Sequence, residues 1–203
     1  LSHASHEDPG IVPARFPAFR VEVAEQAADA AVPAVVQVIG EFAQALEARG
    51  ALDEAEDGFR RAPRGADIMV IDSPARSHGK ELTDLVKHAE TVLVPVLPST
   101  IDMQATSTFL QELQSVGKIQ RKQVKIGALA NRVRDNTLIW DELDEFLTKA
   151  RVPYIAALRE AMNYVRAYTR GLGIHELPEY LAWPDWDEWE PLTAWLRSKR
   201  SQP

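Results

Sequence analysis

Cysteine is absent from all 203 residues. Disulfides, thiolate metal centres and cysteine nucleophiles are therefore excluded, which fits a reducing, cytoplasmic setting. No apolar run is long enough to span a bilayer, and there is no signal-peptide pattern. The closing "RSKRSQP" is basic without being apolar, so no membrane-anchoring amphipathic tail is expected. Positive charge is not in excess either. The 30 acids outnumber the 23 lysines and arginines, so any contact with nucleic acid needs a local basic patch. Repeats, low-complexity segments and a G-x-S-x-G nucleophile elbow are also missing.

A phosphate-gripping P-loop is missing as well. The stretch "ADIMVIDSPARSHGKEL" carries a Gly-Lys pair, but Pro74 stands where the first glycine of G-x-x-x-x-G-K-[ST] belongs, and Glu81 where the hydroxyl belongs. Proline offers no N–H to a phosphate, and a carboxylate repels one. His3 and His6 form H-x-x-H in a loop-like end without an evident third ligand. His78, His88 and His175 are scattered and suit surface or satisfied core positions.

What is present is a hydrophobic content of 45%, enough for one domain with a sizeable core. Four apolar runs read as buried strands: "DIMVID", "TVLVPVLPS", "VKIGALANRV" and "VPYIAAL". Helical periods fall between them, at Leu82-Leu85-Val86-Ala89, at Met103-Thr106-Phe109-Leu110-Leu113-Val116, and at Leu138-Ile139-Leu143-Phe146-Leu147. This alternation predicts a single doubly wound α/β domain, its mostly parallel sheet covered by helices on both faces. Upstream, "IVPARFPAFRVEV" reads as an edge strand, "VPAVVQVIGEFAQALEARG" as a helix from Pro33 to Gly50, and 51–65 as polar with a short helix. Downstream, 178–203 holds Trp183, Trp186, Trp189 and Trp195. It is expected to dock on the domain, or else to present an exposed partner-binding surface, with Pro184 keeping its first part irregular and a helix over 186–198.

Ligands of such sheets bind where the strands end, here at Asp72-Ser73-Pro74, Leu97-Pro98-Ser99, Asn131-Arg132-Val133 and Leu158-Arg159. An apolar strand closed by an acid suits a carboxylate aimed at magnesium or its water, although such an acid also simply caps the next turn. Basic residues gather at Lys118, Arg121, Lys122 and Lys125, and again at Arg159, Arg166 and Arg170. They suit a solvated turn and a salt-bridged helix, or contacts to a phosphate backbone.

The ordered set "ADIMVIDSPA", "AETVLVPVLPSTIDMQATSTFLQEL", "VKIGALANRV" and "YIAALREAMNYVRAYTRGLGIHEL" resembles the ParA/MinD family of deviant Walker ATPases, in its ParA branch, over residues 66–177. The resemblance implies a P-loop NTPase-like fold of the SIMIBI type, ATP or ADP with magnesium as cofactors, and ATP-dependent homodimerisation. It also implies a partner that stimulates hydrolysis or adapts cargo, and non-specific DNA as a further partner. It gives Asp72 the catalytic and magnesium-water role and makes Ser73-Pro74 a turn beside the γ-phosphate. Asn131 then meets adenine with Arg132 and Val133, and 153–159, from Pro153 to Leu158 and Arg159, forms the other wall of the base pocket. Lys118, Arg121, Lys122, Lys125, Arg166 and Arg170 become candidate DNA contacts. The family's glycine-rich loop, its strand, its helix and the following strand have no match here. The expectation is accordingly an N-terminally incomplete chain, in which a P-loop upstream would make an ATPase. The second reading is a non-catalytic interaction module on the same fold.

Overall fold

The computed structural model describes residues 34–38, 68–73 and 78–203. Five strands are present: β1 (Ala34–Val38), β2 (Met69–Ser73), β3 (Thr91–Val96), β4 (Lys125–Val133) and β5 (Tyr154–Arg159). They lie in the order β2-β1-β3-β4-β5, and every pairing is parallel. The helices are α1 (Gly79–Lys87), α2 (Thr100–Ser115), α3 (Gly117–Gln120), α4 (Leu138–Lys149), α5 (Met162–Thr169) and α6 (Glu179–Leu196), with a 3-10 turn at Ile174–Glu176.

Alternation along β3 and β4 divides the core into two layers. Val92, Val94, Val96, Ile126, Ala128 and Ala130 face Leu82 and Val86 of α1, Leu110 and Leu113 of α2, and Leu143 and Leu147 of α4. Leu93, Leu129, Ala156 and Leu158 face Leu192 and Trp195 of α6. The sheet is therefore covered on both sides, as its continuous apolar strands demand. Ser99 and Thr137 start α2 and α4 by accepting hydrogen bonds from the N–H groups of Asp102 and Trp140. Pro95 lies past Leu93, the last β3 residue paired with β1, so its missing N–H interrupts nothing on that side. Gly127 marks a close approach. A methyl group there would collide with the Ile155 side chain and meet the Trp195 ring at 3.1 Å.

Two expectations are corrected. Ala34–Val38 is a strand, not the first turns of a helix, and it pairs with β2 on one side and β3 on the other. Three valines in "AVVQV" favour a pleated surface over a helix, and that preference outweighs the Pro33 and Gly50 flanks. β1 thereby lies between β2 and β3, so those two strands do not face each other across unpaired edges. The tail, secondly, is one helix from Glu179 that runs through Pro184 and Pro191. Each proline removes one ladder bond. Burial of Ala182, Asp185, Leu192, Thr193 and Trp195 on one side of the helix outweighs that loss. The expected edge strand at 11–23 and the short helix at 51–65 lie outside the described residues.

Candidate functional site at the carboxyl ends of the strands

A parallel sheet has an amino pole and a carboxyl pole. Asp72 and Ser73 are the last two residues of β2, and Pro74 lies outside the described residues. Asn131, Arg132 and Val133 close β4, and Leu158 and Arg159 close β5. Asn131 pairs with Leu158 and Val133 with Arg159, leaving Arg132 bulged out at φ 55°. That bulge re-aims a side chain at the rim, a usual reason to keep one.

The rim is staggered. Asp72 pairs with Gln37, Gln37 with Leu93, and Leu93 with Gly127, which is four residues short of Asn131. Asp72 and Asn131 are thus about 13 Å apart along the strands and about 14 Å across them. Pro153 does not join this rim. Its carbonyl accepts from the Ala128 N–H at the start of β5, about 17 Å down the strand from Leu158, because the segment is fully extended. Val133 and Leu158 are buried and floor the rim instead of lining it.

Two ionic clusters that sequence reasoning missed hold the β4–β5 corner. Glu160 accepts from Arg132 Nη2 at 2.7 Å and Arg134 Nε at 2.5 Å, while its own N–H bonds Val133. The hydrogen bond from Arg132, then that from Arg134, holds its carboxyl below the ordinary range. Arg159 turns the other way, towards α6. Its Nε donates to Asp185 Oδ1 at 2.9 Å, and its backbone N–H to Glu188 Oε2 at 2.8 Å. Asp185 is fully buried; its other oxygen accepts from Asn163, whose carbonyl accepts from Arg166 Nη1 at 2.9 Å. Burial pushes the Glu188 carboxyl up. Arg159 is therefore tied to the tail, and Arg166 to the same network.

The basic candidates separate into two places. Arg166 lies in α5 and Arg170 caps its C-terminus, and α5 follows the carboxyl end of β5. Lys118, Arg121, Lys122 and Lys125 lie before or at the start of β4, on the amino pole. The structure does not bring these two sets together.

A nucleotide implied by the resemblance needs a base pocket and a phosphate cradle. The bulged, polar corner at Asn131 and Arg132 is where the resemblance would put the first. The described residues do not fit the second. The helix N-terminus at Gly79, φ 58°, is already taken by a carboxylate: Glu112 accepts from the Gly79 N–H at 2.6 Å and contacts His78 Nδ1 at 2.9 Å. These two contacts, the backbone N–H first, hold Glu112 below its usual range. No group of three or more His, Asp or Glu residues able to hold a metal occurs among the described residues; His3 and His6 lie outside them. No described helix is long and apolar enough to cross a membrane.

No family model matches the chain, and no curated protein matches it. Solved structures do. Apo McdA from Cyanthece aligns at 20% identity and TM-score 0.47, over 64% of this chain and 52% of its own. The chain thus spans about half the length of that protein. A ParA family ATPase from Chlorobium tepidum TLS aligns at 10% identity and TM-score 0.50, over 82% of this chain and 85% of its own. The second likeness shows the fold: a parallel, helix-covered sheet of the ParA type.

Proposed function

From the ParA-type fold as premise, we propose that the chain serves as a nucleotide-dependent dimerisation switch that positions DNA or other large cargo. One observation carries this reading. Among the described residues the large apolar side chains left exposed are Ile101, Leu138, Met162, Val165, Tyr168, Leu172, Tyr180 and Trp183. All sit on segments that follow the carboxyl ends of β3, β4 and β5, around the rim just described. An apolar margin around a ligand crevice is the surface that a second subunit covers when it closes over the ligand. Asn131 selects the base, and Asp72 orders magnesium and water wherever a phosphate cradle completes the site. ATP and magnesium are the cofactors of this reading, and a cargo adaptor or a stimulator of hydrolysis is its partner. The described residues provide no phosphate cradle of their own.

Sedimentation velocity with and without ATP and magnesium tests the proposal. A monomer that dimerises with ATP supports it, and Asn131→Ala then weakens nucleotide binding. Where turnover is measurable, Asp72→Ala abolishes it; unchanged hydrolysis removes Asp72 from that role. The Glu112 carboxylate at the α1 N-terminus favours the second reading, a non-catalytic interaction module. Self-association indifferent to nucleotide, with no nucleotide bound, selects that module.

A further inference from the structure

The tail is fixed to the sheet at both poles. At the amino pole Thr91, the first residue of β3, donates its hydroxyl to the carbonyl of Ser201, and both are buried. At the carboxyl pole the fastening is ionic and reaches the candidate site. Asp185 lies on the docking face of α6 with Ala182, Leu192 and Trp195, and it is fully buried. A buried carboxylate is a poor means of holding a helix down. Its desolvation cancels much of what its ion pair returns, and an apolar residue seats a helix as firmly. What an apolar residue cannot do is aim a guanidinium. Asp185 Oδ1 accepts from Arg159 Nε at 2.9 Å, and Oδ2 accepts from Asn163 Nδ2 at 2.6 Å. Asn163 is buried too, and the same amide donates to the Leu181 carbonyl at 2.9 Å. Both carboxylate oxygens are engaged, so the network holds a single orientation.

The contacts continue from there to the rim. Arg159 closes β5 and stands opposite Val133, the last residue of β4. Its backbone N–H is held by Glu188, one turn beyond Asp185 on α6. The next residue, Glu160, donates its N–H to the Val133 carbonyl and takes Arg132 and Arg134 on its carboxylate. Arg132 is the bulged residue beside Asn131. An unbroken line of contacts thus runs from the tail to the corner. We propose that Asp185 is a positioning residue for the rim: through Arg159 and Glu160 it sets the β4–β5 corner, so that tail docking and ligand binding at Asn131 form one linked equilibrium. A ligand that tightens the corner then tightens the tail, and a tail seated wrongly weakens the ligand to the same degree. The ligand half of this rests on the proposed nucleotide switch; the corner half does not.

The test is backbone hydrogen exchange on the 203-residue chain without ligand, followed by titration with magnesium-ATP. Asp185→Asn keeps the side chain's shape and removes its charge. It speeds exchange at the Arg159 and Glu160 N–H groups by roughly tenfold or more. Amides of α4, which packs on the other face of the sheet, stay unchanged. Leu192→Ala weakens the same helix about two turns further on and speeds exchange in α6 alone. Arg159→Lys keeps the charge but loses the Nε contact, and it gives the same corner pattern if Asp185→Asn fails to fold. Where the wild type binds ATP, Asp185→Asn weakens binding by roughly five- to tenfold, and saturating ATP slows α6 exchange in the wild type only. A wild type that binds no ATP overturns the switch reading, and the exchange pattern then decides the corner on its own. The proposal is overturned by an unmoved corner in Asp185→Asn and Arg159→Lys, by a Leu192→Ala pattern that matches theirs, or by an ATP affinity that Asp185→Asn leaves intact.

Discussion

At the carboxyl pole Leu138 and Tyr168 stand 83% and 85% exposed, while at the amino pole no large apolar side chain is exposed among the described residues and cations take their place. The architecture explains part of this difference. In a doubly wound sheet the strands point one way and the crossover helices the other, so helix C-termini collect at the amino pole. Lys87 and Lys149 lie in the last turns of α1 and α4, where a cation is favoured by the helix dipole. They are also ion-paired, with Asp84 at 2.6 Å and Glu145 at 2.5 Å. Lys122, Lys199 and Arg200 have neither excuse. Lys122 sits in a turn at φ 59°, and the other two follow the tail helix. Subtracting what the fold requires leaves a smaller set of charges at the amino pole, set against the apolar margin at the other end.

The tail joins the two poles, so it is where the contrast is most easily broken. Trp195→Ala removes the ring that seals the α6 face and should cost about 3–5 kcal/mol in urea unfolding. Asp185→Ala strips the buried partner from Arg159 and Asn163 in the amino-terminal half of the same helix, at the carboxyl pole of the sheet. The expected loss is about 2–3 kcal/mol, below that of a fully buried pair because Arg159 keeps contact with water. Gly127→Ala pushes Ile155 and Trp195 away from β4 and should cost about 1–2 kcal/mol.

A smaller, pH-dependent effect comes from His175, whose ring lies 5.8 Å from that of Trp186 and 6.0 Å from that of Trp189. Desolvation holds its imidazole below the ordinary value, only partly opposed by Glu190. A histidine depressed in the folded state contributes its full stability above the unfolded value, about 6.5, and loses it as pH falls through the folded one. Tryptophan fluorescence and thermal midpoint should therefore decline together below neutrality, and His175→Gln should flatten both. Smallest in stability is Met162→Ser with Tyr168→Ser, within about 0.5 kcal/mol. Its expected consequence is weaker self-association, measured by sedimentation. Unchanged association would remove α5 from the covered margin.

β3 and β4 were legible because their apolar runs are too continuous for anything but buried strands, and α2 and α4 because their periods carry start signals at Ser99 and Thr137. β1 was not, because five residues rich in valine between a proline and a glycine satisfy helix punctuation as well as strand composition. The tail helix was hidden by Pro184 and Pro191, whose local cost is visible in sequence while the compensating burial of Trp195 is not. At the candidate site, strand ends could be read directly, so Asn131, Arg132, Leu158 and Arg159 fall at one corner. What holds that corner could not be read. The Arg159–Asp185 pair spans 26 residues and the Arg132–Glu160 pair 28, and neither has a local signature. Pro153 was misplaced because a whole segment was assigned to a pocket that only the end of a strand can reach.

The bond between Thr91 and Ser201 also sets a schedule. Its two ends are separated by 110 residues, so the head of β3 stays uncapped on the ribosome while everything between is made. At ordinary elongation rates that wait lasts roughly 5–20 s. Throughout it, β3 and β4 have no α6 to cover Leu93 and Leu129. During synthesis Leu93 and Leu129 therefore lack the cover that α6 gives them in the finished fold, which makes them a natural target for a chaperone until the last turn of the tail arrives.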